Sequence, residues 1–252
     1  QEAVSHGIVV GAQTEEEAKK FILMGASESR TFVTGNIKFD YSTPDDLIEK
    51  ANMFKKEFAL NRSIWVAGST HKGEEKIILD AHKRILEAYP DALLIIAPRR
   101  PERFQSVQNL IHKRGFSCVS RSQDMQISEN TQVMLADTLG ELPMFYSASS
   151  VAFVGGSLFK TGGHNLLEPA SLNTPVIAGP ILYGVEEIAN MLKANGAIEI
   201  VHNAEELSKI VCQLLSDSDR HKQMTQAARK VVDKNRGSLE KLLSLITPLL
   251  KS

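Results

Sequence analysis

From residue 63 to residue 201 the chain repeats one pattern: a short apolar, β-branched run, then a longer amphipathic stretch. The runs cover residues 64–67, 93–97, 133–136, 151–154, 175–178 and 198–201. Each is too short for a buried helix, and Gly, Pro, Ser or Asp bounds most of them, so each reads as a strand. Between them, residues 74–89 place Ile77, Ile78, Ala81, Ile85 and Leu86 on one helical face, and residues 101–114 and 183–195 read similarly. Strands that are apolar throughout have both faces covered. The alternation therefore predicts an α/β fold, a Rossmann-like parallel sheet with helices on both faces.

The two ends of the chain depart from this pattern. Residues 205–216, 219–235 and 239–250 are three consecutive helical segments with no strand between them, a helical tail. The last is leucine-rich enough to need a partner surface, and Pro248 kinks or ends it. At the front, residues 14–25 form a helix capped by Thr14, with Glu17 completing a capping box and Gly25 closing it. Residues 30–36 then read as a strand leading to a turn. The expected organisation is residues 1–37 as the end of a preceding domain, 38–44 as linker, 45–235 as the Rossmann-like domain and 236–252 as a C-terminal helix. With Gln1 in place of an initiator Met and no signal-peptide pattern, the chain reads as a piece of something longer.

Composition removes several function classes. Lys plus Arg total 29 against 30 Asp plus Glu, a balance unlike a nucleic-acid coat. No apolar run approaches the roughly 18–20 residues of a membrane span. Cys118 and Cys212 lie far apart and form no CxxC pair, which excludes a disulfide scaffold and a thiolate zinc site and fits a reducing compartment. There is no HExxH and no carboxylate cluster that asks for a metal. Met134 and Met144 read as core, and His6, His82, His112, His202 and His221 as surface or satisfied positions.

Open parallel sheets bind ligands at the carboxyl ends of their strands. The loops there are Gly68-Ser69-Thr70-His71-Lys72-Gly73, Pro98-Arg99-Arg100-Pro101-Glu102-Arg103, Asp137-Thr138-Leu139-Gly140-Glu141, and the long stretch from Gly155 to Pro169. The last is the most specific. Gly155, Gly156, Gly162 and Gly163 allow sharp turns and close approach to a ligand. His164-Asn165 is expected to open a helix whose free amides suit a phosphate, with Glu168 one turn in to accept from ribose hydroxyls. A tight strand–helix turn with His164 as its cap explains the same spacing, and both readings stand. Neither a Walker motif nor GxGxxG is present. Arg99, Arg100 and Arg103 suit an anionic donor or a solvated helix start paired with Glu102; their place on a carboxyl-end loop favours the donor. Ser69 reads as a possible cap of the helix at 74–89, and His71 as within reach of a phosphate. Lys38, near the domain junction, is either solvated or placed to neutralise a leaving phosphate.

These residues also carry a resemblance. Thr34-Gly35-Asn36-Ile37-Lys38-Phe39-Asp40, Gly68-Ser69-Thr70-His71, Pro98-Arg99-Arg100, Leu139-Gly140-Glu141, Gly155-Gly156-Ser157 and above all Gly162-Gly163-His164-Asn165-Leu166-Leu167-Glu168-Pro169 resemble the 3-deoxy-D-manno-octulosonic acid (Kdo) transferases. The similarity runs in order from about residue 13 to about residue 201. It implies a two-domain GT-B glycosyltransferase, inverting, metal-independent and without a cofactor, moving Kdo from CMP-Kdo to a lipid A precursor. This is a step of lipopolysaccharide biosynthesis at the cytoplasmic face of the bacterial inner membrane, with no nucleic-acid partner. Carried over position by position, Pro98, Arg99, Leu139, Gly140, Glu141, Asn165, Leu166, Leu167 and Glu168 would contact CMP. Ser69, Thr70, His71, Arg100, Gly155, Gly156, Ser157, Gly163 and His164 would be further donor contacts, and Lys38 would stabilise the transition state. The family's general base is a glutamate of the N-terminal acceptor domain, to which no position here corresponds. The expectation is a chain that binds the donor without transferring it. The alternatives are a UDP-sugar-dependent GT-B transferase or epimerase, and a non-catalytic nucleotide-binding module.

Overall fold

The computed structural model describes residues 8–40, 43–59, 62–123 and 127–250; His6 lies outside them. Residues 1–42 together with 232–252 make one compact unit, and residues 43–231 make another. In the first, β1 (Val10–Ala12) and β2 (Thr31–Val33) pair in parallel across the crossover helix α1 (Glu15–Leu23). Thr14 caps α1 as expected, its hydroxyl accepting from the Glu17 amide at 3.1 Å. Glu17 returns the bond to the amide of Gln13 at 3.0 Å, one residue before the position a capping box would use. The stretch read as linker begins with packed residues: Ile37–Asp40 is a 3-10 turn with Phe39 buried.

The second unit runs α2 (Leu47–Phe54), β3 (Ile64–Thr70), α3 (Glu74–Ala88), β4 (Leu93–Pro98), α4 (Phe104–Lys113), β5 (Cys118–Ser120), β6 (Val133–Leu135), α5 (Leu142–Ala148), β7 (Val151–Val154), α6 (Leu167–Ser171), β8 (Val176–Ala178), α7 (Glu186–Ala194), β9 (Ile198–Ile200), α8 (Ala204–Ser216) and α9 (Ser218–Asn235), whose residues from Val232 on belong to the first unit. All six expected strands are present in one parallel sheet of order β5-β6-β4-β3-β7-β8-β9. The three-residue edge strand β5 and the helices α2 and α5 were not anticipated. Alternate residues of each strand face opposite layers, as the pleat demands. Trp65 and Ala67 join Ile78, Val107 and Val211 on one face, while Ile64 and Val66 join Phe54, Phe145 and Ala148 on the other. Met134 and Met144 lie in the second layer, core residues as expected.

The strand order fixes where a ligand crevice opens. From β3 the chain winds outward to β4 on one side and later returns to β7 on the other. Connections leaving adjacent strands toward opposite faces of the sheet part at β3/β7, leaving a crevice at their carboxyl ends.

The tail is helical as read. After α9 comes α10 (Ser238–Ile246), ending in a 3-10 turn at Thr247–Leu250 where Pro248 stands. The Asp40 carboxylate accepts from the Gly237 and Leu239 amides, both at 2.6 Å, so an acid caps the positive end of α10. No helix among the described residues is long and apolar enough to cross a membrane.

Candidate functional site

A cleft of about 370 Å³ opens at the carboxyl ends of β3, β4, β6 and β7. Each strand delivers a side of it. Ser69 comes from β3, Arg99 from the β4 loop, Gly140 from the β6 loop, and His164, Asn165 and Glu168 from the long loop after β7. Leu142, Pro143 and Tyr146 of α5 supply an apolar wall that the sequence reading missed. A Pro in the first turn of α5 was the available signal for that helix.

Ser69 reaches the cleft by an irregularity. The β3–β4 register slips between Gly68 and Thr70, and Ser69 sits in the left-handed region at φ 54°. A bulge with a non-glycine residue at positive φ is strain of the kind found beside binding sites. Ser69 therefore lines the cleft and does not cap α3; the N-cap position is Gly73, which has no side chain to offer.

Two acids open α3, and both are fully buried. Glu75 accepts from Thr70 Oγ1 at 3.0 Å and from Arg103, which ties the β4 loop to α3. Thr70 and Arg103 are thereby committed inside the protein. Glu74 accepts four main-chain bonds: His71 and Gly156 N–H on Oε2, both 2.8 Å, and Ser157 and Leu158 N–H on Oε1, both 3.0 Å. The Ser157 hydroxyl is buried too, donating to Val154 O and accepting from Gly179 N–H. Gly155, Gly156 and Ser157 thus face inward rather than lining the cleft.

The helix expected at His164-Asn165 opens later. α6 begins at Leu167 and has five residues. Asn165 takes the Leu167 amide on its own Oδ1 at 3.1 Å and donates to Glu168 Oε1 at 3.2 Å. Asn165 thereby occupies one of the amides that the glycine-rich spacing suggested for a phosphate, that of Leu167. Glu168 is the second residue of α6 rather than one turn in. Burial raises its carboxyl above the usual range, with the Asn165 bond and Arg99 pulling the other way.

His71 and His164 meet across the switch point, Nε2 to Nε2 at 2.7 Å, their rings stacked with centroids 5.0 Å apart. One nitrogen must donate and the other accept, so at least one of the two rings is neutral, with Nε2 unprotonated. Burial, His71 and Arg99 push His164 down to about 4. Burial also lowers His71, with Glu74 opposing and Arg103 adding to the depression. No ion pair among the described residues includes Arg99, which is exposed at the cleft mouth.

Other residues of the sequence reading lie elsewhere. Glu141 turns away to Arg121, at 2.9 Å, and to Thr138; these bonds outweigh burial and hold its carboxyl below the usual range. It lines a separate pocket of about 390 Å³ beside α2, with Gly140 shared between the two. Leu139 is exposed, Arg100 pairs loosely with Glu102 at 3.6 Å, and Pro98, Leu166 and Leu167 are buried. A Cβ on Gly163 would press on Val185 and Leu182, so that glycine serves packing. Lys38 lies in the other unit, its amide bonded to Asn36 Oδ1 at 3.0 Å. No group of three or more His, Cys, Asp or Glu able to hold a metal occurs among the described residues.

The family model for glycosyl transferases group 1 matches residues 64–231, the stretch that builds the sheet and the cleft. The chain belongs to this glycosyl transferase family. Among curated relatives, the 3-deoxy-D-manno-octulosonic acid transferase of Haemophilus influenzae is 40% identical over 96% of this chain and 57% of its own length. That of Bordetella pertussis is 30% identical over 93% of this chain and 55% of its own. The chain thus spans about half the length of the curated relatives it matches. Among solved structures, the C-terminal CMP-Kdo binding domain of WaaA from Acinetobacter baumannii superposes with a TM-score of 0.71 at 34% identity, over 74% of this chain and 97% of that one. A UDP-N-acetylglucosamine 2-epimerase from Listeria monocytogenes, at 17% identity and a TM-score of 0.59 over 97% of this chain and 60% of its own, shares the fold. This member of the family therefore carries a polar cleft at the switch point of its parallel sheet.

Proposed function

We propose that this chain is the donor-binding part of a Kdo transferase, an enzyme of lipopolysaccharide synthesis that takes Kdo from CMP-Kdo. One observation carries the reading: the match to a CMP-Kdo binding domain covers nearly all of that domain at 34% identity. The cleft supplies groups of the right type. Arg99 is a cation free to meet phosphate, Ser69 and Asn165 offer donors, and Glu168 offers acceptor oxygens for ribose hydroxyls. The Leu142–Pro143–Tyr146 wall gives the nucleoside an apolar surface.

The chemistry follows from the leaving group. When the bond between the sugar carbon and phosphate oxygen breaks, its electron pair leaves with CMP, and positive charge grows on the sugar. Fixed donors aimed at the departing phosphate lower that barrier, by about 3–4 kcal/mol for a well-placed group. Arg99 would act there in this domain, and Lys38 would stabilise the same charge in the assembled enzyme. The attacking hydroxyl, on a lipid A precursor, inverts the sugar carbon and gives its proton to a base in an acceptor domain. No metal takes part in this scheme, and the full-length enzyme would act at the cytoplasmic face of the inner membrane.

Calorimetric titration with CMP, and with UMP as control, tests the assignment. CMP is expected to bind more tightly than UMP, and Arg99→Ala to weaken CMP by about tenfold or more, the worth of one charge-assisted bond. Equal affinity for the two nucleotides would move the chain to a UDP-sugar enzyme. No binding of either would leave a module that has lost the nucleotide.

A further inference from the structure

The loop after β7 is the kind of backbone that binds anions. Gly156 has φ 76°, and the amides of Gly156, Ser157 and Leu158 point the same way. Successive amides in such a turn form a concavity for a phosphate oxygen or a carboxylate. Here the concavity is filled from within, by the carboxylate of Glu74. That side chain is fully buried, and no Lys or Arg among the described residues pairs with it. A carboxylate buried without a cation persists only where hydrogen bonds replace its water. Glu74 has four such bonds, two to each oxygen, from donors on two loops that flank the switch point.

We propose that Glu74 is the positioning residue of the donor site, an internal anion that holds the β3 loop and the β7 loop in register. The consequence reaches the cleft through two contacts. Glu74 fixes the amide of His71, whose ring meets His164. It also fixes Gly156, against which the His164 ring is packed so closely that a Cβ there would stand 3.0 Å from His164 Cδ2. His164 and Asn165 enter the cleft from this base. Because Glu74 occupies the amides, the donor phosphate does not use them and depends on side chains such as Arg99. The assignment of the cleft to a donor nucleotide is that of the preceding section; the role of Glu74 in building the loop does not depend on it.

Chemical rescue tests this. Glu74→Ala is expected to lower the thermal midpoint and weaken CMP binding by tenfold or more. Millimolar formate should restore both in the variant and change neither in the parent chain, because a small carboxylate refills the concavity. A folded Glu74→Ala protein indifferent to formate overturns the proposal. So does one that binds CMP as tightly as the parent. Where that variant does not fold, amide exchange in the parent chain decides. Gly156, Ser157 and Leu158 should exchange as slowly as β7 despite lying in a loop, and CMP should shift Arg99 and Asn165 more than these three. Fast exchange, or the largest CMP shifts on the three amides, overturns it. Formate rescue of the thermal midpoint without any CMP binding supports Glu74 as the loop anchor and sinks the nucleotide reading instead.

Discussion

His82 shows how a single side chain fixes its own protonation. Trp65 Nε1–H, which can only donate, sits 3.1 Å from His82 Nδ1, and the Gln132 carbonyl, which can only accept, sits 2.9 Å from Nε2. The ring is therefore neutral with its proton on Nε2, and protonating Nδ1 would break the bond to Trp65. Burial brings its pKa down to about 4. The unfolded chain, with an ordinary histidine near 6.5, binds the proton more readily than the folded one. His82 therefore leaves stability intact above pH 6.5 and withdraws it as pH falls from about 6.5 to 4. The withdrawn amount is about 3 kcal/mol at pH 4 and below. Burial of His164 adds in the same direction, by less because that ring is more exposed. Urea denaturation at pH 7, 5.5 and 4 is expected to show this loss, with a smaller loss in His82→Gln, referred to its own value at pH 7. A midpoint independent of pH over that range contradicts the tautomer assignment.

At the scale of elements, the close approach of β3 and β7 decides how precisely the two main loops meet. A Cβ on Gly155 would fall 2.5 Å from the carbonyl oxygen of Ser69 and 2.8 Å from Thr70 Cα, both main-chain atoms that cannot swing aside. Gly155→Ala is expected to cost on the order of 3 kcal/mol and to weaken nucleotide binding along with it, since the displaced atoms belong to the Ser69 bulge. Gly115, after α4, has φ 80° and open space around it, so alanine there costs only backbone strain, about 1 kcal/mol, and leaves binding alone. Equal losses of stability in the two variants would show that the contact at Gly155 is not what matters. The contrast also marks what the sequence made legible. Long apolar strands such as β3 and β4 announced themselves because both faces are buried. β5 did not, because Cys118-Val119-Ser120 holds a single β-branched apolar residue between two small polarisable ones. α2 was overlooked although Leu47, Ala51 and Phe54 recur at helical spacing. The carboxyl-end loops were readable as a cluster because the fold class places them together. The occupant of the glycine loop was not readable, because the amides and the carboxylate that fills them lie 82–84 residues apart. Ser69 and Thr70, adjacent in sequence, take opposite roles through a bulge that no spacing rule foretells.

For the whole molecule, the question is how much of a transfer reaction 252 residues can perform. The relatives are nearly twice as long as the part this chain matches. The cleft holds groups suited to a nucleotide and a departing phosphate, and in the proposed reaction those groups would stabilise only one side. Attack by a hydroxyl also needs that hydroxyl positioned and its proton removed, and positioning alone accounts for several kcal/mol of a bimolecular barrier. A protein made of residues 1–252 is therefore expected to bind CMP-Kdo and to leave a lipid A precursor unmodified. Binding should rest on local contacts, because a net charge of −1 gives no long-range attraction for an anionic donor. Incubation of this protein with donor and acceptor, followed by mass spectrometry of the lipid, makes the check. Unchanged lipid together with calorimetric binding of CMP-Kdo fits a donor half. Kdo on the lipid would mean that the base and the acceptor site lie within these residues, and would send the search for them to the acids of residues 8–40 and to the Glu141–Arg121 pocket beside α2.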